Sequence, residues 1–516
     1  MHAQDGRLKD HTLSTKSAAL SPVEQALLQE PPLGGSLSPV RLTQTRIERV
    51  ARTQELPLSF LLEDVLAEFW SSPEGDTGTL NRCFRLQGTF NEAAMELAIN
   101  ELARRHEVLR TTFSVVNGRA RQVIARPVRL TVPVIDLHSM AHVKRLEEAL
   151  RILAQEAQRP YDPSRSQLWR VVIVRLDESE HLLLLSVSHL IADGSSINLL
   201  IKDSWILYRA FSTGTPSPLT EIPIQFADYA CWQRSNLQGS VLEDLVSYWK
   251  RNLDGLKVVP EILLPFERTI PTENNERTVV IQHLQVPASL LESLRELSRR
   301  EGVTLFMLVF AALITTLHRY TGNHDFGILS PVTNRHRPET TGVVGWLADY
   351  IVLRVKVPAV ATFPQLLQKV RDVVLEAYDH QELPFSKFYG NSSKVWKQAN
   401  SYSSVRFNMM AGTGRSDASP SQSGGATRMG GFVLTSIDLP QSMPSRMSPP
   451  GLDVLVREND HQLHVNITHE LERHEAAAVN LLLQDYLKVL EGVACAPQQR
   501  LAEILLSSKT ISNRAV

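Results

Sequence analysis

The sequence predicts an α/β protein made of two layered sandwich subdomains. Three observations lead there. At 516 residues the chain is too long for one ordinary core. Segments with helical spacing alternate with runs rich in β-branched residues. That alternation restarts near residue 278, after a junction around residues 232 to 260.

The first cycle begins at Leu56, where the texture turns globular. "NEAAMELAINELARRHEVLRTTF" reads as an amphipathic helix running into a strand, with Ala94, Leu97, Ala98 and Leu102 at helical spacing. "RQVIARPVRLTVPVIDL" is rich in β-branched residues, and "MAHVKRLEEALRILAQEAQRP" is a helix that stops before Pro160. "LWRVVIVRLDESEHLLLLSVSH" is two strands around a short acidic turn. The second cycle has a strand "RTVVIQHLQV", a helix "PASLLESLRELSRREG" and a strand "DFGILSPV". Between the last two lies "VTLFMLVFAALITTL", residues 303 to 317, which is too short to span a bilayer and carries three threonines. It reads as a buried helix.

Residues 1 to 55 form a polar lead-in, with a short helix allowed in "LSPVEQALLQ", capped by Ser21. "LGGSL" at 33 to 37 invites comparison with the serine of a carrier domain. Such a domain needs a helical bundle around Ser36, and only 35 residues precede it, so a flexible linker is expected. Residues 412 to 450, rich in Gly, Ser, Pro and Met, read as a long loop with a short strand "GFVLTS" inside.

Composition narrows the function. With 54 Lys+Arg against 55 Asp+Glu, a nucleic-acid binder or a polybasic membrane protein is disfavoured. Cys83, Cys231 and Cys495 are far apart and odd in number, which gives no metal spacing and no disulfide framework. A reducing cytoplasm fits best. The first residues contain no apolar signal segment.

One stretch carries chemistry: "HLLLLSVSHLIADGSS", residues 181 to 196. Strand alternation places Leu183, Leu185, Val187 and His189 on one face and Ser186 and Ser188 on the other. His189 therefore points inward, toward a core or a cleft wall. A helix follows, with Gly194 permitting the turn and Ser195 or Ser196 as N-cap. A histidine beside a helix N-terminus, whose amides are free to meet an anionic oxygen, suits a general base. Taken alone, the stretch fits a core histidine and a turn aspartate at least as well.

The same stretch resembles the H-H-x-x-x-D-G signature of the condensation domains of nonribosomal peptide synthetases, which are chloramphenicol acetyltransferase-like acyltransferases. The likeness runs from about residue 56 to 505. "LPLSF" (56–60), "RRHEVLRTTF" (104–113), "PIQFADYACWQR" (223–234), "YWKRNLDGL" (248–256) and "HQELPFSKF" (380–388) follow in the family's order. "GILSPVTNRHRPETTGVVGWLADYIVLRV" (327–355) resembles the floor-loop region, with Arg335 at its arginine and Gly345-Trp346 at its Gly-Phe. Three departures stand out. Ser188 replaces the first histidine, Asp349 replaces an asparagine, and "LLEDVLAEFW" lacks the usual Gln-x-Arg-x-Trp.

The resemblance implies two chloramphenicol acetyltransferase-like α/β sandwich subdomains in a V-shaped pseudo-dimer with a central tunnel. Their expected spans are 56–235 and 236–508, with a bridging loop near 412–450. It implies acyl transfer from a carrier-protein thioester to an amine or alcohol, giving an amide or an ester. His189 would act as base or positioner, and Gly194 would offer an N–H to the oxyanion. Ser188, Asp193 and Arg335 would be structural, with Asp193 and Arg335 paired. No bound cofactor and no metal is expected, since the phosphopantetheine arm would arrive on a partner carrier protein. Without an adenylation segment or a credible carrier serine, the chain looks free-standing and monomeric, acting in trans, with release of the product as one use. The alternatives are a non-catalytic recruiting module and a coenzyme A-dependent acyltransferase.

Overall fold

The structure, a computed structural model, describes residues 46 to 504 except 72–77, 118, 166, 257–277, 386, 388–404, 412–426, 430, 438, 440–450, 460 and 461. The expected lead-in helix, Ser36 and most of the 412–450 segment lie outside the described residues.

The first half runs β1 (Leu56–Pro57), α1 (Phe60–Ser71), β2 (Thr79–Gly88), α2 (Glu92–Arg105), β3 (Thr111–Val116), β4 (Arg119–Ile124), β5 (Val134–Asp136) and α3 (His142–Gln158). It continues through the hairpin β6 (Trp169–Asp177) and β7 (Glu180–Ser188) to α4 (Gly194–Ser212). Two helices, α5 (Phe226–Asn236) and α6 (Gly239–Leu253), lead across. The second half opens with β8 (Val279–Val286), α7 (Ala288–Glu301), α8 (Leu305–Thr321), β9 (Asp325–Val332), β10 (Asp349–Lys356) and α9 (Phe363–Asp379). It closes with β11 (Val405–Ala411), β12 (Thr427–Met429), β13 (Phe432–Ile437), β14 (Leu452–Asn459), β15 (Gln462–Glu470) and α10 (Ala476–Cys495).

Each half is built on a six-stranded sheet, ordered β12-β13-β2-β7-β6-β5 in the first and β10-β9-β11-β14-β15-β8 in the second. β7 shows why the first sheet is a buried middle layer. Leu183, Leu185 and Val187 enter one core with residues of α2 and α4, while Leu182 and Leu184 enter another with Ala149, Leu153 and Ala157 of α3. With both faces covered, the strand reads as an unbroken apolar run rather than an alternating one.

Local chemistry explains the helices. The Asn91 side chain accepts from the Ala94 amide at 3.0 Å and starts α2. The face that α2 buries is Ala94, Met95, Ala98, Ile99 and Leu102, whereas Leu97, expected in that stripe, is 52% exposed. α8 is buried continuously from Met307 to Leu317. Its Thr315 and Thr316 hydroxyls donate to the Ala311 and Ala312 carbonyls at 2.9 Å, so neither is an uncompensated polar group. No single described helix is long and apolar enough to cross a membrane.

The halves exchange pieces. β13, the strand expected inside the 412–450 loop, lies in the first sheet, antiparallel to β2 from Phe432 opposite Gly88 to Ile437 opposite Cys83. A side chain at position 88 would meet the Gly431 carbonyl at 2.4 Å, and Gly88 sits at φ +129°. Only glycine allows this close crossing. Phe432 and Leu434 then join the first core, as do Val343, Val344, Trp346 and Leu347 from the loop before β10.

The lead-in was expected to run to residue 55, but it packs on the body from residue 47. Ile47 is 1% exposed within the first core. The Val50 amide and the Arg52 guanidinium both reach Asp228, at 2.8 and 2.7 Å, and Arg52 also bonds Glu107 at 2.7 Å. A chain starting at Leu56 should therefore melt about 5–10 °C lower than one starting at Thr45, through loss of a buried isoleucine and of a partner to a buried carboxylate. Equal melting of the two in calorimetry would contradict this packing role.

Candidate active site

β7 ends at Ser188, one residue before the histidine. Residues 189–191 form a 3₁₀ turn, and the Ser188 hydroxyl caps it by accepting from the Leu190 amide at 3.3 Å. The His189 amide donates to the Gly78 carbonyl at 3.0 Å. His189 is thus aimed by a capped turn, not by strand alternation. It is half-buried, while Ser186 and Ser188 on the supposed polar face are fully buried.

The N-cap of α4 is Asp193, where Ser195 or Ser196 was expected. Its side chain accepts from the Ser196 amide, so the aspartate both starts the helix and holds the site. Gly194 is the first helical residue. Its φ lies outside the left-handed region, and a side chain there would meet nothing within 4 Å. The turn does not require this glycine; the space beside it is open. As the first helical residues, Gly194 and Ser195 have amides with no acceptor inside the helix.

Asp193 is 1% exposed and surrounded by donors. Oδ1 accepts from the Ser196 amide at 2.8 Å and lies 2.8 Å from the Ser196 hydroxyl. Oδ2 accepts from Arg335 Nη1 at 2.7 Å and from the Leu347 and Ala348 amides at 3.1 and 3.0 Å. Ser196 Oγ in turn accepts from the Gly345 amide at 3.0 Å and Arg335 Nη2 at 2.9 Å. Burial pushes the Asp193 pKa up, but the Arg335 charge and the Ser196 hydrogen bonds outweigh it and hold the carboxyl below the usual range. Arg335, Gly345, Leu347 and Ala348 all belong to the second half, so this clamp spans the molecule.

The clamp delivers a loop. A side chain at Gly345 would lie 2.2 Å from the Phe226 ring, so only glycine lets the loop settle there. Asn334, in the left-handed region at φ 53°, ties the loop by donating to the Leu347 carbonyl at 2.9 Å. Trp346 then sits with its ring centroid 4.2 Å from that of His189, tilted by 45°. Burial sets the His189 pKa below the ordinary imidazole value, against the nearby Asp193 charge and a contact with its own backbone, which both favour the cation. Burial thus favours the neutral ring. Nδ1 is buried and bonds no other described residue.

The structure therefore joins Asp193 to Arg335 directly, places Ser188 under the histidine turn, and sets His189 and Gly194 on either side of Asp193 in the chain. Sequence reasoning missed Ser196 as the hub of the clamp and Trp346 as the neighbour of His189. The Asp-Gly-Ser-Ser pattern held a signal for the first, since Asp is as good an N-cap as Ser and leaves Ser196 three residues inside.

Asp349, at the asparagine position, is 7% exposed. It accepts from the Phe385 and Tyr350 amides at 3.2 and 2.7 Å. Burial raises its pKa to about 7, and the Asp64 carboxylate adds to the rise. Between the ordinary carboxylate range and pH 7 the unfolded chain is ionised and the folded one is not. Folding is therefore penalised increasingly as pH rises, and not at all in acid. Asp349→Asn should add about 1–3 kcal/mol of stability at pH 8 and almost none at pH 4, as read by urea unfolding. An equal effect at both pH values would contradict a buried, reluctant carboxyl.

Asp193 behaves in the opposite sense. Its depressed pKa contributes stability above the ordinary carboxylate range, and that contribution is lost as pH falls through the folded value. Asp193→Ala should cost about 3–5 kcal/mol in urea unfolding near neutral pH. Asp193→Asn should be nearly as costly, because an amide NH₂ would face donors on both sides. Wild-type stability in both variants would remove the clamp's structural role.

A family model for the condensation domain matches residues 69–513. One of the linear gramicidin synthase proteins of Brevibacillus parabrevis is 36% identical over 375 residues, covering 73% of this chain and 5% of that protein. Phosphinothricin tripeptide synthetase PhsC of Streptomyces viridochromogenes is 35% identical over 379 residues, covering 73% of this chain and 34% of that one. The chain thus spans about a twentieth of the first relative and a third of the second. In fold it is similar to the X-domain from teicoplanin biosynthesis, with a TM-score of 0.73 at 23% identity over 90% of this chain and 100% of that one. It is also similar to the first condensation domain of the CDA synthetase, with a TM-score of 0.65 at 18% identity over 88% and 100%. The chain belongs to the condensation domains and has their two-subdomain pseudo-dimer fold.

Proposed function

We propose that this domain transfers an acyl or peptidyl chain from a carrier-protein thioester to an amine or hydroxyl acceptor, forming an amide or an ester. The observation that carries the reading is His189. The half-buried ring is held toward its neutral form by burial, and the turn that carries it leads into the N-terminus of α4. The acceptor loses its proton to His189 Nε2 as it attacks the thioester carbon. Negative charge gathers on the carbonyl oxygen, and the Gly194 amide is the donor proposed to meet it. Collapse breaks the carbon–sulfur bond, and the departing thiolate recovers the proton from His189. Asp193, Arg335 and Ser188 hold this arrangement and take no proton.

The carrier and its phosphopantetheine arm come from outside these residues, and no other cofactor is used. An amine acceptor gives an amide; a hydroxyl, which is less nucleophilic, depends more on the base. With a small soluble acceptor, the same transfer releases the chain.

His189→Ala should lose about 10²–10⁴ in single-turnover rate with the fold retained. The acid limb of the wild-type profile should fall below the ordinary imidazole value of about 6.5. The assay follows product from acyl-carrier and acyl-coenzyme A forms of one donor with a panel of amines and alcohols, by intact-protein mass spectrometry. Full turnover by His189→Ala would defeat the base assignment. Turnover with acyl-coenzyme A alone would favour the coenzyme A enzyme, and carrier binding without turnover would favour a recruiting module.

A further inference from the structure

The second half contributes one ring to the surroundings of His189, and nothing in the acyl-transfer scheme above uses it. Trp346 lies 4.2 Å from the imidazole, centroid to centroid. At 3% exposure it is itself fixed in the first half's core. Its neighbours on both sides in the chain are pinned. The Gly345 amide and carbonyl lie 3.0 and 2.8 Å from Ser196 Oγ, and the Leu347 amide donates to Asp193. The indole therefore has little freedom to retreat.

We propose that Trp346 is the positioning residue of His189, holding the imidazole in one orientation so that the base is complete only when the two halves are clamped together. The inference rests on the reading of His189 as the base. Turning the ring over would put carbon atoms where Nδ1 and Nε2 now stand, and a planar group tilted at 45° and 4.2 Å obstructs that motion. Held in one orientation, the imidazole keeps its basic nitrogen in one place. The indole also excludes water from one side of the imidazole, which disfavours the cation. The charged group acting on the ring is Asp193, which is itself paired with Arg335. Both remain in place when only the indole is changed.

The test is an NMR titration of His189 in the full chain carrying labelled histidine, alongside kcat profiles. His181 serves as an internal control, since it lies on β7 beside Glu92. In Trp346→Ala and Trp346→Leu the His189 midpoint should rise by on the order of half a pH unit or more, while that of His181 stays. The kcat should fall roughly tenfold, and its acid limb should move with the midpoint. Trp346→Phe, which keeps an aromatic wall, should restore most of both. Should Trp346→Ala not fold, the leucine variant decides. An unchanged His189 midpoint in the folded variants overturns the positioning role, whatever their activity. If the wild type gives no condensation but the midpoint follows Trp346, the acyl-transfer reading falls and the positioning contact stands.

Discussion

One carboxylate joins the molecule. Asp193 belongs to the first half by sequence, yet three of its five partners, Arg335 and the amides of Leu347 and Ala348, come from the second. A buried anion must be fully paired or it is expelled, so its position fixes the loop that pairs it. A hydrophobic pair of the same volume would bind the halves comparably well. The ionic clamp adds register, since backbone amides meet a carboxylate in one geometry only.

The histidine depends on that register. The same residue that caps α4 pulls a loop across the interface, and the loop carries an indole against the imidazole. Two glycines make the approach possible for steric reasons: Gly345 admits Phe226, and Gly88 admits the backbone of β13. Gly194 differs, because beyond its chain neighbours and its own helix backbone no described atom lies within 4 Å of where its side chain would be. A glycine bordered by open space at a helix start leaves room for a ligand atom beside a backbone amide.

Much of this was legible in the sequence, and the failures have physical causes. Helix and strand identities followed from periodicity, and α8 from an unbroken apolar run. The pairing of Asp193 with Arg335 was reached through motif resemblance, because 142 residues separate them and no local rule connects the two. Alternation failed at His189 because the strand ended one residue earlier in a serine-capped turn. Leu97 was placed on the buried face of α2 because a stripe drawn from spacing alone does not say which side meets the sheet. The strand β13 was legible in "GFVLTS" and a bridging role for its segment followed from the resemblance, but its pairing with β2 is a tertiary fact that no local rule gives. Ile47 lay in a stretch of linker-like composition, and a single apolar anchor does not change composition.

The central claim is that Asp193 holds the second half's loop at the histidine. Native-state hydrogen exchange at the Leu347 and Ala348 amides, compared between wild type and Asp193→Asn, tests it most directly. Amides in the middle of β10, such as Val352 and Leu353, report the variant's global loss of stability, and beyond that loss the protection of Leu347 and Ala348 should fall by about a further 10²-fold. Equal protection of Leu347 and Ala348 in both proteins would show that the loop is held by its own packing and that the carboxylate is not what joins the halves.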